Sequence, residues 1–576
     1  MKLLFDIETD DLKATRIWCI VCKDLDTNQI YKFGPNELYK GKELLESATT
    51  IVGHNVIGFD IPIINKLLDC NLYQKKIVDT LVLSRLFNPV RDGGHSLDSW
   101  GFRLKFPKID FQEFQNYSSE MLDYCVNDVE LNARVYKHLL VEGRDFSQES
   151  IDLEHDVFKI IKSQEDAGFL LNTKDANILV ATLNGKIKTI EDEVKKVFKP
   201  RLVDVKKVTP YIRKDGQLSK RGLSDEEYNK CVNTKNYKPF MRQSLQEFNL
   251  GSRKQIGEYL IDFGWKPEKF TPTGQPIVDE KTLSTITNIP EAKLICEYLL
   301  LQKRVAQINS WIDAVGEDGR VHGFVIPNGT ITGRMTHRSP NMAQVPSLSS
   351  DYGRECRSLW IVDEDNVLLG VDASGLELRM LAHYMNDKEF TNEIIKGDIH
   401  TTNQKAARLE SRNQAKTFIY ALMYGAGDKK LGSVVGGNES SGKRAREYFF
   451  SNTPAFKSLR DKVQRASTKT YLKGLDGRKL YVRSEHSALN TLLQGAGAIV
   501  MKKALVLLAN NLNVSMTKFK FVANIHDEWQ IEVPKCQANK VGQIAVESII
   551  SAGNYFNLRC PLDGEFKIGS NWSETH

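Results

Sequence analysis

At 576 residues the chain is too long for one ordinary core and should fold as two to four domains of roughly 150 residues each. Its 41% apolar and 26% charged residues exclude a disordered or fibrous protein. No uninterrupted apolar run reaches a membrane span and Met1 leads directly into a strand pattern, so a cytosolic location with nine reduced cysteines is expected.

The first 140 residues alternate strand and helix patterns, beginning with "KLLFDIETDDL" and "RIWCIVCKDLD", which suits a mixed α/β domain. Cys19 and Cys22 have CxxC spacing, but no second pair completes a metal set. Strand positions three apart face opposite sides, so both read as core thiols. "SIDLEHDVFKIIKSQEDAGFLLN" then predicts a helix closed by Gly168.

The net charge of +6 is concentrated in one place: Lys199 to Arg242 holds twelve Lys/Arg against five Asp/Glu. Broken by Pro210, Gly216, Gly222 and Pro239, this segment reads as an insertion between helices, and "AKLICEYLLLQKRVAQINSW" resumes the helical pattern. From Trp311 the pattern is α/β again. The strand "NVLLGVD" ends at Asp372 and runs into the helix "LELRMLAHYM"; 398 to 470 is mainly helical, and strand patterning returns near Leu480. "FVANIHDEWQIEV" reads as a hairpin whose crest is His526, Asp527 and Glu528, where a simple turn would prefer Asn-Gly or Asp-Gly.

Acids recur at defined positions. Asp6 and Glu8 lie two apart on a strand and share a face; Asp60 closes "GHNVIGFD", and Asp128 follows Tyr124 by one helical turn. Carboxylates this close repel unless protonated or bridged, so four of them could hold a pair of divalent ions with Tyr124 orienting a water. Taken singly, each also suits a helix cap or a solvated strand end. Downstream, Arg412, Lys416 and Tyr420 form an i+4 stripe, suited to phosphates followed by a base or sugar, or equally to an exposed basic face.

In order, Asp6-x-Glu8, Asn55 to Asp60 and Tyr124 to Asp128 resemble the three exonuclease motifs of proofreading nucleases, and "DASGLELR", "RNQAKTFIYALMYG" and "HDE" resemble the three polymerase motifs of family A, the DNA polymerase I-like enzymes. "TGRMTH", "GDIHTTNQ", "GLDGRK" and "ALNTLLQGAGA" are similar to the replicative polymerases of T-seven-like bacteriophages. The resemblance covers most of the chain and is weakest between 199 and 242. It implies an α/β multidomain fold, a ribonuclease H-like 3′–5′ exonuclease domain at 1–145 followed by a right-hand polymerase. The thumb is expected at 146–310, the palm at 311–390 and 476–576, and the fingers at 391–475.

The resemblance also implies roles. Asp372, Asp527 and the Ala373 carbonyl would hold two Mg²⁺ ions about 3.5 to 4 Å apart, with Glu528 a secondary acid; Asp6, Glu8, Asp60 and Asp128 would hold the exonuclease pair, and Mn²⁺ could substitute. His400, Arg412 and Lys416 are expected on the triphosphate, Lys416 also as proton donor to pyrophosphate, with Tyr420 beside the sugar and base, Tyr424 near the templating position and Glu377 excluding a ribose 2′-hydroxyl. Arg334, Arg357, Asn490, Gln494 and His526 would grip the duplex at the primer end. Expected partners are primer-template DNA and deoxynucleoside triphosphates, with host thioredoxin at the basic insertion and a phage helicase-primase as candidates, no membrane, and the cytoplasm of the infected host as location. Asp6 arrives too early for a preceding 5′ nuclease domain, which favours a viral enzyme over a repair enzyme. A single-subunit RNA polymerase is the competing class; Glu377 and the exonuclease motifs argue against it.

Overall fold

The computed structural model describes residues 1–576. Two compact units emerge, Met1–Asn172 with Ala314–His576, and Thr173–Asp313.

The first unit opens with a five-stranded sheet of β1 (Lys2–Thr9), β2 (Ile17–Asp24), β3 (Ile30–Phe33), β4 (Thr50–Gly53) and β5 (Lys76–Asp79). Its order is β3-β2-β1-β4-β5, antiparallel from β3 to β1 and parallel from β1 to β5. Parallel pairing needs both faces covered. Accordingly Leu3, Phe5, Ile20 and Cys22 pack with Ile61 and Ile64, while Leu4, Cys19 and Val21 pack on the other side with Val129, Leu131 and Val135 of the helix Ser119–Glu142. Cys19 and Cys22 thus sit in opposite cores as free thiols.

Helix Gln148–Ala167 runs on to Gly168 at φ 62°, as the pattern predicts. The sequence reading placed it with the thumb segment 146–310, but it packs in the first unit, against helix Ala488–Val514 and strand Lys520–Ile525. The reason is electrostatic as well as apolar: Glu154, almost fully buried, meets Arg478 Nη1 at 2.5 Å and Lys502 Nζ at 2.6 Å, and Asp476 takes the remaining face of Arg478. The span Glu485–Val514 is long and apolar enough to cross a membrane by length and composition, but Lys502 and Lys503 interrupt its apolar run, as expected, and 78% of its most apolar stretch is buried inside the fold.

A second, antiparallel sheet follows the order Lys520–Ile525, Glu528–Pro534, Asn366–Ala373, Gly564–Gly569. Leu369, Val371, Ile531 and Val533 anchor one of its faces in the largest core. Strand Asn366–Ala373 turns at Gly375, φ 58°, into helix Leu376–Met385. The helices between 388 and 467 pack around Phe418, Phe449 and Phe456.

In the second unit, helices Thr173–Val197 and Pro290–Ile312 pack together. The basic segment carries a two-stranded ribbon, Arg201–Val208 against Phe240–Gln246, and a helix, Asp225–Thr234, started by a Ser224/Glu227 capping box. Arg242 grips Glu227, tying the ribbon to that helix.

Candidate active sites

The sheet order puts the N-terminal acids at one end of neighbouring elements. Asp6 and Glu8 lie on central β1; Asp60 starts a helix and accepts from the Ile7 N–H at 3.2 Å; Tyr124 and Asp128 share one face of Ser119–Glu142. Ligand atoms of Asp6, Glu8 and Cys125 fall within 4.8 Å of one another. Burial, then the charges of Asp60, Glu8 and Asp128, pushes the Asp6 carboxyl well above its ordinary range. Burial likewise drives Glu8 up to about 9 and Asp60 up to about 7, and raises Asp128, whose Oδ1 is buried without a partner. Four oxygen donors that resist carrying their own charge suit a hard divalent cation.

The second cluster sits where the hairpin meets the strand end. His526, at φ 58°, and Asp527 form a two-residue turn, so Glu528 opens the returning strand instead of sharing the crest. Asp372 pairs across the sheet with Glu528, and the Ala373 N–H donates to the Asp527 carbonyl at 3.2 Å, which fixes the turn beside Asp372. Burial, then Asp527 and Glu528, pushes the Asp372 carboxyl up to about 7; burial also raises Asp527. Glu528 behaves differently. Its Oε1 accepts from Trp572 Nε1 at 2.6 Å and Gln530 Nε2 at 2.7 Å, and its Oε2 lies 2.7 Å from His576 Nδ1. Burial would raise it, but the His576 hydrogen bond and charge outweigh that and hold it below the usual range. Its oxygens are therefore committed to bracing the hairpin.

Arg412, Lys416 and Tyr420 do share a helix, Arg412–Met423, started by a Ser411 cap. Arg412 is held in a fork by Asp398, at 2.6 and 3.1 Å. His400 and Tyr420 have ring centres 6.5 Å apart, and Tyr420 and Tyr424 6.2 Å. Tyr424 donates to Glu377 at 2.6 Å, and Arg334 meets the same carboxylate at 2.9 Å. Beside them lies a cleft of about 750 Å³, lined by Arg334, His337, Asn490, Gln494 and His526. Arg357 is the exception among the expected duplex contacts. It is buried, bonded to the Pro346 carbonyl, and stacked over Trp572 at 4.5 Å, 3.8 Å from Glu528. It supports the brace from behind.

With this geometry in place, comparison with known proteins is decisive. The profile described as DNA polymerase family A matches residues 224–574. The DNA-directed DNA polymerases of Enterobacteria phage T3 and Escherichia phage T7 are each 32% identical, with all of both chains covered.

The chain belongs to DNA polymerase family A.

DNA polymerase I of Aquifex aeolicus is 26% identical, with 91% of this chain and 88% of that protein covered. In fold, the polymerase domain of Pol1 from M. smegmatis, solved with DNA primer-template and dNTP, superposes at a TM-score of 0.78 and 18% identity, covering 99% of this family A chain and 95% of its own.

Several residues at these clusters escape sequence reasoning. Trp572 and His576 lie more than forty positions beyond Glu528, and Lys108 sits in an aperiodic loop. No periodicity or spacing announces a contact made by a loop or a chain end.

The acids carry a consequence for stability. In the unfolded chain Asp and Glu titrate near 3.9 and 4.3, so Glu8 and Asp6 bind protons more tightly folded than unfolded. Metal-free protein should therefore lose stability as pH rises toward the folded value. Half-buried His54 and His95 and buried His383 are held down by desolvation and act in the opposite sense at lower pH, so the comparison starts at pH 7. In EDTA the melting temperature should fall from about pH 7 to 8.5, and the Asp6→Asn, Glu8→Gln double variant should flatten that slope. Equal slopes would mean that the cluster is not a stored repulsion.

Proposed function

We propose that nucleotidyl transfer by this DNA-directed DNA polymerase takes place at Asp372 and Asp527, that Asp6, Glu8, Asp60 and Asp128 form a separate 3′–5′ exonuclease centre, and that the enzyme replicates a phage genome in the cytoplasm of the infected host. The hairpin carries the reading. In a chain of this family, a two-residue turn sets Asp527 against the strand end bearing Asp372, and both carboxyls are raised by burial.

Both donor sets are rich in oxygen and fit Mg²⁺ or Mn²⁺: Asp372, Asp527 and the Ala373 carbonyl at one centre, the four N-terminal acids at the other. When bound, the ions neutralise charge on the phosphate oxygens and favour the ionised attacking hydroxyl or water. The chain's own groups do the rest. Lys416, Arg412 and His400 bind the triphosphate of the incoming deoxynucleotide, Arg412 exchanging Asp398 for phosphate, and Lys416 gives a proton to the departing pyrophosphate. Glu377, held by Tyr424 and Arg334, occupies the room a 2′-hydroxyl needs. Primer-template DNA fills the cleft, where Arg334, Asn490, Gln494 and His526 meet the minor-groove acceptors that all Watson-Crick pairs share. At the other centre Tyr124 orients the attacking water. The palm and fingers take the segments expected from the motifs, and the thumb the part of its expected segment that begins at Thr173. The basic insertion is the proposed docking segment for host thioredoxin, and a helicase-primase the proposed partner at the fork.

A 5′-labelled primer on a longer template, incubated with Mg²⁺, should be extended when the four deoxynucleotides are present and shortened to a ladder when they are absent. Shortening in both conditions would remove the roles given to Asp372 and Asp527. Tyr420 supplies a further test, since its hydroxyl can replace the hydrogen bond of a missing 3′-hydroxyl. Wild-type enzyme should accept dideoxynucleotides readily, and Tyr420→Phe should discriminate against them at least about tenfold more. Equal selectivity ratios in the two proteins would count against that role.

A further inference from the structure

One cation stands among the N-terminal acids. Lys108 sets its Nζ 2.5 Å from Asp128 Oδ2 and 4.8 Å from the centre of the Tyr124 ring. Its loop is tied down just after the lysine: the Ile109 N–H donates to Asn127 Oδ1 at 3.2 Å, and Trp18 Nε1 donates to the Phe114 carbonyl at 2.9 Å. The lysine side chain keeps 23% of its surface open, so the ammonium can leave Asp128 without unfolding the loop. Asp128 itself is 4% exposed, and its other oxygen is buried with no hydrogen-bond partner.

We propose that Lys108 is the resident counter-ion of this cluster, exchanging Asp128 for a DNA phosphate when a divalent cation is held. The inference rests on the exonuclease reading of the four acids. An ammonium is a compact point charge on a flexible stem, suited to moving between two anions in a way that a forked guanidinium is not. While it sits on Asp128 it quiets the mutual repulsion of the acids and competes with any other cation for the same carboxylate. Once released, it lies beside Tyr124, at the place where the phosphodiester to be cut must approach. No bond is made or broken by the lysine; it carries charge from one anion to another.

The test uses the full chain with Asp372→Ala and Asp527→Ala, so that tight Mn²⁺ binding reports on the N-terminal acids alone, followed by electron paramagnetic resonance. Adding Lys108→Met should tighten Mn²⁺ binding roughly tenfold and, at saturating Mn²⁺, lower kcat/KM on a single-stranded oligonucleotide by at least about tenfold. Lys108→Arg, which keeps the charge but grips a carboxylate with a fork and guards against a folding artefact, should bind Mn²⁺ no more tightly than the parent. Unchanged or weaker Mn²⁺ binding in Lys108→Met would overturn the proposal. Asp6→Ala with Glu8→Ala on the same background separates the two levels. If that pair abolishes Mn²⁺ binding while Lys108→Met changes nothing, the exonuclease centre stands and the lysine's role falls. If Mn²⁺ stoichiometry survives the pair, the acids are not a cation site and both readings fall together.

Discussion

Asp372→Asn should slow single-turnover nucleotide addition by at least on the order of 10³-fold while leaving primer-template affinity within a few-fold of wild type. The substitution removes a charge and keeps shape: strand Asn366–Ala373 is paired on both sides, and the turn at Gly375 does not depend on the carboxylate. What disappears is one of two half-buried acids whose mutual repulsion marks a place for positive charge. Asp6→Ala should spare this rate and instead abolish primer shortening, because its cluster lies on a different sheet. Rapid-quench addition to a labelled primer, with DNA affinity from fluorescence anisotropy, gives both numbers. Retention of more than a tenth of the wild-type rate by Asp372→Asn would place the chemistry elsewhere.

Glu154→Ala should be the most damaging substitution away from either centre. Glu154 holds two buried cations at once: Lys502 Nζ lies 2.6 and 2.8 Å from its oxygens and Arg478 Nη1 lies 2.5 Å away, all three residues being 3% exposed or less. Removing the acid strands Lys502 without a carboxylate and leaves Arg478 with Asp476 alone, and breaking such a pair from one side costs about 3–5 kcal/mol. Asp166→Ala, which deletes an exposed pair with Lys162, should cost under about 1 kcal/mol. Urea unfolding of the two variants measures the difference. Coincident midpoints would show that the buried cations relax to water, and that the network does not hold helix Gln148–Ala167 in place.

Local pattern was legible wherever burial follows a period. Strands β1 and β2, the helix closed by Gly168, the strand ending at Asp372, the Arg412-Lys416-Tyr420 stripe and the HDE hairpin all form at their expected positions, because alternation and 3.6-residue spacing state which face must leave water. The same rule separated Cys19 from Cys22. Motif order brought out the acids, since carboxylates at strand ends are costly unless something uses them.

Pairing across long stretches of chain was not legible. Nothing in the sequence near Glu528 announces Trp572 and His576, whose bonds commit the oxygens of this expected secondary acid to the hairpin, or shows that Arg357 lies buried behind it. Helix Gln148–Ala167 reads as a generic amphipathic helix until Arg478 and Lys502, more than three hundred residues away, close on Glu154. Lys108 is one lysine among many until its loop folds onto Asp128. The sequence by itself determined which residues avoid water and which acids come in sets, because burial period and local charge are properties of neighbours along the chain. Only the tertiary structure decided which charges meet, because an ion pair's worth depends on distance and on exclusion of water, and both are set by packing.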